Sequence, residues 1–513
     1  MAEATAAATQ TAQAEAQAAL PKPVAVFQGY DSVTGGGLST ALAGETKRVG
    51  GTSSVNYRIC TDLETLCEAL EIDQSLAISF GPIGSLDQKL RFVHSLKVTT
   101  YSVSIVVYAR HLQGMDTMTD VRLKDGIKPP AGDKEMRDFF RVYGDSYLSS
   151  VSEGGEYYAV YTYYSQTREE QTELTLSMKA HGILQGGSVD ASLQAKISSF
   201  NSSSKTRSTL DQNMSGIKDP KFPPSDQIIS FALAFPSLAL TAPAIIGYDT
   251  TGYERVAGFG DFEPVAGNRR FFVGDSVVDG LTKPLVQIQE LQNQIAWIQS
   301  VYKFYGGYSD DKVAKTGAQA KTDHDTVNAL IERYEADPTG KFETPNLPSL
   351  ADGTPALVYK VGRSDAYGGG GGEPFDDVDV NTFVPQQTRI TALQLRSGAR
   401  IDRLITTYQN TAGAWNAEHG GGGGSLGNRL ALQPGNVVTK VNGRSGGRVD
   451  HLTFRISNGD VLDGGREGGN PFEWKVPDGA FLLGFAGRSG SEIDRIQFIY
   501  ARFEPAAWSR SSA

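Results

Sequence analysis

A chain of 513 residues is longer than one hydrophobic core usually serves, so two or three domains are expected. Hydrophobic residues at 39% and charged residues at 21% are ordinary for a soluble protein, whereas 58 glycines exceed average usage and need a local explanation. A net charge of -10 with no Lys/Arg cluster excludes a nucleic-acid binder, because phosphate contacts need a basic face.

The first residues, 1–24, lack the basic start and apolar run of a signal peptide and read as an Ala-rich disordered tail. Cys60 and Cys67 lie seven apart in CTDLETLC, a spacing that suits packed thiols on one helix face or a small disulfide loop; packed thiols are preferred. From about residue 45 to 280 strand-like alternation dominates. In YSVSIVVY, Tyr101, Val103, Ile105 and Val107 share one face, and Ser102 and Ser104 the other. Asp133 is placed to cap a helix carrying Met136, Phe139, Phe140 and Tyr143, which Gly144 would stop. The longest apolar run, IISFALAFPSLALTAPAII, is interrupted by Pro236 and Pro243 and predicts no membrane-spanning helix.

Residues 283–302 and 324–335 carry helical apolar spacing, and His324 falls in a TDHD stretch read as a solvated loop. Residues 336–365, rich in Pro, Gly and acidic residues, read as a linker. Beyond it, glycine runs and short strand candidates such as RIDRLITTY and EIDRIQFIY predict an all-β domain. The glycines open into acidic residues and a strand, so no helix dipole faces a phosphate. No Cys/His or H-E-x-x-H spacing suggests a metal, and neither a metal nor another cofactor is expected.

Two features carry family resemblances. In YGDSYLSSVSEGG, Tyr143-Gly144, Tyr147 and, six residues on, Gly154-Gly155 follow an aromatic-bearing helix. The spacing resembles the membrane attack complex/perforin signature, with Asp145 and Ser146 standing where that family has Thr/Ser and His. Glycines inside a strand also read, on physical grounds alone, as a bend or a close backbone approach. The resemblance implies an α+β domain over 25–335, built on a bent antiparallel sheet with flanking helical clusters that refold into membrane hairpins.

Such segments must satisfy a helical period in water and a two-residue period in a barrel. Val189, Ala191, Leu193, Ala195 and Ile197 alternate with polar residues, while Val189, Leu193, Ile197 and Phe200 also form a helical stripe. Upstream, Leu174, Leu176, Met178 and Ala180 alternate, with Gly186-Gly187 read as the intervening turn. The stretch 75–96 is the candidate first hairpin.

From 366 to 505 the ordered segments GGGGGEPFDD, RIDRLITTY, HGGGGG, GGRVDHLTFRISNG and LLGFAGRSGSEIDRIQFIY resemble the jacalin-related lectins, which implies an all-β, three-faced β-prism; 506–513 reads as a tail. By that resemblance a sugar sits between the first glycine loop, at Gly372, and the loop Gly490, Ser491, Glu492 and Asp494. The Asp494 carboxylate can accept two sugar hydroxyls, and Ser491 and Glu492 can offer backbone N–H groups. Adjacent Asp376 and Asp377 point to opposite strand faces and cannot flank one glycosidic bond, so no enzyme is expected.

Together the resemblances imply a protein made soluble as a monomer, released, and held on a cell-surface glycan of mannose or galactose type. It would then oligomerise and insert β-hairpins into a target lipid membrane. The competing expectation is a non-lytic, carbohydrate-binding adhesion protein on the same scaffold.

Overall fold

The computed structural model describes residues 25–71, 88–204, 206–260, 263–274, 280–410, 413–433 and 435–509. The chain forms two compact units: the first comprises the chain to Ser204, Ser208–Gln294 and Thr316–Gly353, and the second comprises Lys205–Arg207, Ile295–Lys315 and the chain from Thr354.

The first unit is built on one antiparallel sheet of nine strands: β1 (Gly29–Asp31), β2 (Gly36–Gly37), β3 (Leu42–Gly50), β4 (Ser53–Cys60), β5 (Ser102–Leu123), β6 (Ser146–Tyr164), β7 (Gly186–Ser188), β8 (Arg207–Ser215) and β9 (Ala244–Gly252). Its spine is the pair β5–β6. One half of β5 pairs with β4 and the other with β3, while β9 pairs with the first half of β6 and β8 also pairs with β6. The change of partner falls where the β5–β6 register slips between Leu112 and Gly114, opposite Gly154. A Cβ on Gly154 would lie 2.1 Å from the His111 carbonyl oxygen, and one on Gly155 2.7 Å from Leu240. The glycine pair thus sits at a close backbone approach beside an irregularity in the ladder.

Nine helices accompany the described strands of the chain: α1 (Leu63–Ala69), α2 (Gln88–Ser95), α3 (Asp133–Tyr143), α4 (Arg168–Ala180), α5 (Ser192–Ser203), α6 (Ile228–Ala234), α7 (Glu263–Val273), α8 (Thr282–Phe304) and α9 (Asp311–Ala336). Both faces of the spine are covered. Val103, Ile105, Val107, Tyr157 and Tyr161 face Leu174, Met178, Leu193, Ile197 and Phe200 of α4 and α5. On the other face, Val106, Tyr108, Tyr158 and Val160 meet α1, α2, α8 and α9. The polar face expected of Ser102 and Ser104 is therefore buried too, and Ser104 meets this need by hydrogen bonding Thr162 across the strands at 3.1 Å.

Gly132, not Asp133, is the N-cap of α3; Asp133 is its first residue, where its charge favours the helix dipole. Gly144 ends that helix at φ +79°, and a Cβ there would lie 2.1 Å from the Tyr30 carbonyl oxygen. Tyr143 and Tyr147 join a ring cluster with Phe139, Tyr253 and Phe259. Asp145 is buried and accepts from the Ser32 N–H at 2.8 Å and from its hydroxyl. Cys60 and Cys67 are both buried free thiols, and burial pushes Cys60 up to about 12.

Both candidate hairpin segments are helical here, in keeping with the helical period expected of them in water: in α4, Leu174 and Met178 turn inward with Gln171, and Leu176 is 58% exposed. The run Val189 to Ile197 lies mostly in α5, with Leu193 and Ile197 buried, and Ala191 and Ala195 exposed. Other sequence expectations need correction. Gly186-Gly187 is not a turn but strand β7 on the edge of β4, and Val189 continues that edge by donating its N–H to the Val55 carbonyl at 3.0 Å. Of the candidate first hairpin, Leu76, Ile78 and Phe80 lie outside the described residues, and α2 occupies 88–95. His324 stands on α9, not in a loop; that helix begins at 311 instead of 324 because its first half buries Val313, Thr316, Ala320 and Asp323, a stripe too small and polar to read as apolar.

The second unit has thirteen strands: β10 (Thr354–Arg363), β11 (Tyr367–Gly368), β12 (Glu373–Asp376), β13 (Arg389–Ser397), β14 (Ile401–Asn410), β15 (Gly413–Gly420), β16 (Ser425–Ala431), β17 (Val438–Ser445), β18 (Val449–Ile456), β19 (Val461–Gly465), β20 (Asn470–Lys475), β21 (Ala480–Ser489) and β22 (Ile493–Ser509). They make three antiparallel sheets, ordered β10-β22-β21-β12 with β11 beside β22, β15-β14-β13-β16 and β19-β18-β17-β20. Leu393, Leu404, Val441, Leu452, Phe454, Phe485 and Phe498 are buried from all three. The stretch expected as linker contains β10, whose pairing Thr354↔Ser509 also brings residues 506–509 of the expected tail into the sheet. The Pro- and Gly-rich flanks masked that strand. Tyr305, beyond the expected linker's other side, stacks on Phe481 with ring centroids 4.2 Å apart.

Candidate carbohydrate-binding site

Strands β21 and β22 are joined by a three-residue loop, closed by the Gly490 N–H on the Glu492 carbonyl at 3.0 Å. The ladder slips between Arg488 and Ser489, and this leaves Asp494 as the second residue of β22. Across from it the loop 368–372 enters β12. Gly368 takes φ +118°, and the next N–H, of Gly369, donates to the Asp494 carbonyl at 2.8 Å.

Gly371 and Gly372 then wrap the Asp494 carboxylate. A Cβ on Gly371 would lie 2.5 Å from Oδ1, and one on Gly372, at φ +66°, 2.6 Å from Oδ2. Only glycine lets main chain approach a carboxylate so closely. Arg488 fixes the loop by donating from Nε to the Gly371 carbonyl at 3.0 Å and from Nη2 to that of Gly372 at 2.6 Å. The result is a rigid cradle with a carboxylate at its floor, suited to accept paired hydroxyls.

Gly372, Gly490 and Asp494 are thus brought together as the sequence predicted; a Cβ on Gly490 would lie 3.7 Å from both the Gly372 Cα and Asp494 Oδ2. Ser491 backs onto another glycine run, its carbonyl oxygen 2.6 Å from where a Gly421 Cβ would stand. Glu492 turns its carboxylate to Arg448 and, at 3.3 Å, to Arg400. Partial burial raises its pKa, yet the two guanidinium groups hold it below the usual carboxylate range. Arg448 also reaches Asp494, Nε to Oδ1 at 3.5 Å. Sequence reasoning missed Arg488, Arg448 and Gly371, although Arg488 belongs to a motif that the chain repeats. Asp376 and Asp377 take separate partners, Arg363 at 2.6 Å for the first, and Tyr408 at 2.8 Å and His419 at 2.6 Å for the second.

Three antiparallel sheets around one core, with a carboxylate cradled by a glycine loop at a strand turn, define a β-prism lectin. The chain belongs to the jacalin-like lectin family: the model of the jacalin-like lectin domain matches residues 364–499. Horcolin of Hordeum vulgare is 31% identical over 142 residues, covering 26% of this chain and 91% of the relative. Zymogen granule membrane protein 16 of Homo sapiens is 32% identical over 152 residues, 29% of this chain and 86% of that protein. A solved mannose-binding jacalin-related lectin from Ananas comosus is 27% identical, with 29% of this chain and 99% of that one covered at a TM-score of 0.25. This C-terminal region is therefore a carbohydrate-binding lectin domain.

Proposed function

We propose that the protein is a lectin-targeted pore former: the lectin domain holds it on a cell-surface glycan, copies assemble, and segments of the first unit refold into a transmembrane β-barrel. The observation that carries this reading is topological. Two strand pairs, β4–β5 and β6–β8, are each joined by a long insertion, at 61–101 and 165–206, whose described residues include α1 and α2 in the first and α4, β7 and α5 in the second. Each insertion leaves and re-enters adjacent strands, so unwinding it into a hairpin would simply extend a pair that already exists. A barrel crossing needs about ten alternating residues, and closure leaves no unpaired edge in lipid. The segment 189–198 has that alternation as well as its helical stripe.

The soluble form is held by apolar burial. Leu193, Ile197 and Phe200 of α5 are each at most 2% exposed, together about 6 kcal/mol of transfer free energy that water would not return but lipid would. Ring assembly is part of the mechanism, because each soluble monomer supplies only two hairpins. Multivalent attachment to glycans raises the local concentration that assembly requires. No covalent chemistry is assigned, and no nucleic acid or cofactor takes part.

A reversible lock tests the reading. The residues Asn56 and Ser188 face each other in the β4–β7 register, a geometry within disulfide reach. The Asn56→Cys/Ser188→Cys pair should abolish dye leakage from glycan-bearing vesicles while oxidised, leave vesicle binding intact, and regain leakage on reduction. Undiminished leakage from the locked protein would overturn the refolding of this segment. Vesicle binding with no leakage in either redox state, and none from the parent protein, would leave the adhesion reading.

A further inference from the structure

The lectin unit repeats Arg-Ser-Gly-x-x-Ile/Val-Asp at 396–402, 444–450 and 488–494, and the residue after each aspartate is Arg403, His451 or Arg495. Each of these three stands directly across its hairpin from the arginine of its own repeat, Arg396, Arg444 or Arg488. Like charges directly opposite each other on a ladder are destabilising, so a carboxylate beside them is expected.

Two repeats supply it from the strand on their other side. Arg403 is in register with Gly420 and His451 with Gly465, and the residue two before each glycine is acidic. Arg403 Nη1 lies 2.6 Å from Glu418 Oε2, and His451 Nε2 lies 3.2 Å from Asp463 Oδ1. Arg403 also donates from Nε to the Gly421 carbonyl at 3.0 Å. In the third repeat Arg495 is in register with Gly368, and the residue two before that glycine is Ala366. Among the described residues no carboxylate pairs with Arg495, and its Nε is buried with no hydrogen-bond partner. A buried donor left without an acceptor costs free energy that a ligand oxygen would recover.

An open groove of about 550 Å³ lies at this gap, lined by both Ala366 and Arg495. That volume is in the range of small-molecule sites. Arg363, Arg488 and Asp376 line it as well, so three guanidinium groups face one carboxylate. Asp376 is held by Arg363 at 2.6 Å, and Arg488 by the carbonyls of Gly371 and Gly372, which leaves Arg495 to receive an anion. Ala486, opposite both Asp376 and Gln497 in the ladders, keeps the floor low. Gln497 donates its amide N–H to the Ser364 carbonyl at 2.7 Å, and this turns its amide oxygen to accept a hydroxyl.

We infer that this groove is a second binding site of the lectin unit and takes an acidic sugar, a hexuronic acid whose carboxylate docks on Arg495 as Glu418 docks on Arg403. The inference rests on the carbohydrate-binding reading and adds to it a site for a different sugar class. The Asp494 carboxylate repels such a ligand from the cradle, so neutral and acidic sugars sort between the two sites.

Calorimetric titration of the full chain tests it, with the methyl glycosides of D-glucuronic and D-galacturonic acid, their neutral glucoside and galactoside counterparts, methyl α-D-mannopyranoside, and sodium acetate as probes. One of the two uronides should bind at one per chain, about tenfold tighter than its neutral counterpart, as a charge-assisted pair implies. Arg495→Gln should abolish that advantage. Ala366→Glu, which restores the acidic residue of the other two repeats, should abolish it too while melting no lower than the parent. Both variants should keep the parent's affinity for the neutral glycosides. Neutral glycosides bound but neither uronide favoured over its counterpart, or a uronide preference that survives both variants, would overturn the inference and leave the carbohydrate reading standing. Acetate binding as tightly as the uronide would overturn the assignment to a sugar. No binding of any glycoside would overturn the carbohydrate reading and the inference with it.

Discussion

Lys89 ties α2 to the sheet beside the register shift opposite Gly154, and its removal gives a prediction with a magnitude. Its ammonium lies 2.8 Å from Glu156 Oε2 and 2.9 Å from the Ile246 carbonyl. Glu156 is fully buried one residue past the Gly154-Gly155 pair, and accepts the hydroxyls of Tyr108 and Tyr158 as well. The change Lys89→Met keeps the side-chain length but strands the carboxylate. Removing one partner of a buried pair costs about 3–5 kcal/mol; Arg110, with Nε 3.8 Å away, offsets part, so about 3 kcal/mol is expected. In a domain this large that is a fall of about 6 °C in Tm. Scanning calorimetry suits a chain of two units that need not melt together. All four tryptophans, Trp297, Trp415, Trp474 and Trp508, lie in the lectin unit, so their fluorescence transition should stay in place as an internal control. Adding Glu156→Gln should recover about half of the loss, because the amide can be buried uncharged. A Tm within about 1 °C of the parent, or a double variant as unstable as the two singles summed, would refute the reasoning.

Leu176 is exposed in the helix α4 but shares the alternating face of Leu174 and Met178. Leu176→Lys should therefore leave the Tm of the soluble protein within about 1 °C while cutting vesicle leakage severalfold, since a charge on the lipid face of a barrel costs about 2–4 kcal/mol. Burial, together with the neighbouring Asp145 charge, pushes Asp31 from 3.8 up to about 7. The native state then holds a proton that the unfolded chain releases, so this contribution to stability is full below pH 3.8 and lost as pH rises through about 7. The first unit should melt progressively lower across that window, and Asp31→Asn should flatten the slope, as a pH series of calorimetric scans would record. Arg488→Ala removes both hydrogen bonds to the carbonyls of the 371–372 loop, and should weaken glycoside binding at the Asp494 site about tenfold.

The lectin half was largely legible because its chemistry is written in short, ordered motifs. The glycine loop and the Gly490 to Asp494 turn could be matched without knowing any tertiary contact. What stayed hidden was relational: Arg488 and Arg448 gain their roles only when loops far apart in sequence meet. The threefold Arg-Ser-Gly repeat was present in the sequence as a spacing but passed as ordinary strand ends. In the first unit, the stripe of Leu193, Ile197 and Phe200 predicted the buried face of α5 from periodicity alone. Leu174 to Ala180 has the same alternation, and there the helix period prevailed because Leu174 and Met178, one turn apart, fill the sheet face beneath them. The first half of α9 was missed since Thr316 and Asp323 are buried without being apolar and Ala320 is small, Asp323 being satisfied by the Ser349 N–H at 2.8 Å. The β10 strand was missed because proline-rich flanks resemble a linker until its partner β22 is known.

The central claim, a sugar-targeted pore, is tested most directly by adding the purified full chain to dye-loaded vesicles with and without mannose- or galactose-bearing glycolipids, and measuring release together with membrane-bound oligomers. The account predicts release and ring-sized oligomers only on glycan-bearing vesicles, both suppressed by the free competing sugar. Protein that coats those vesicles, is displaced by the same sugar, and releases no dye at any surface density would contradict it.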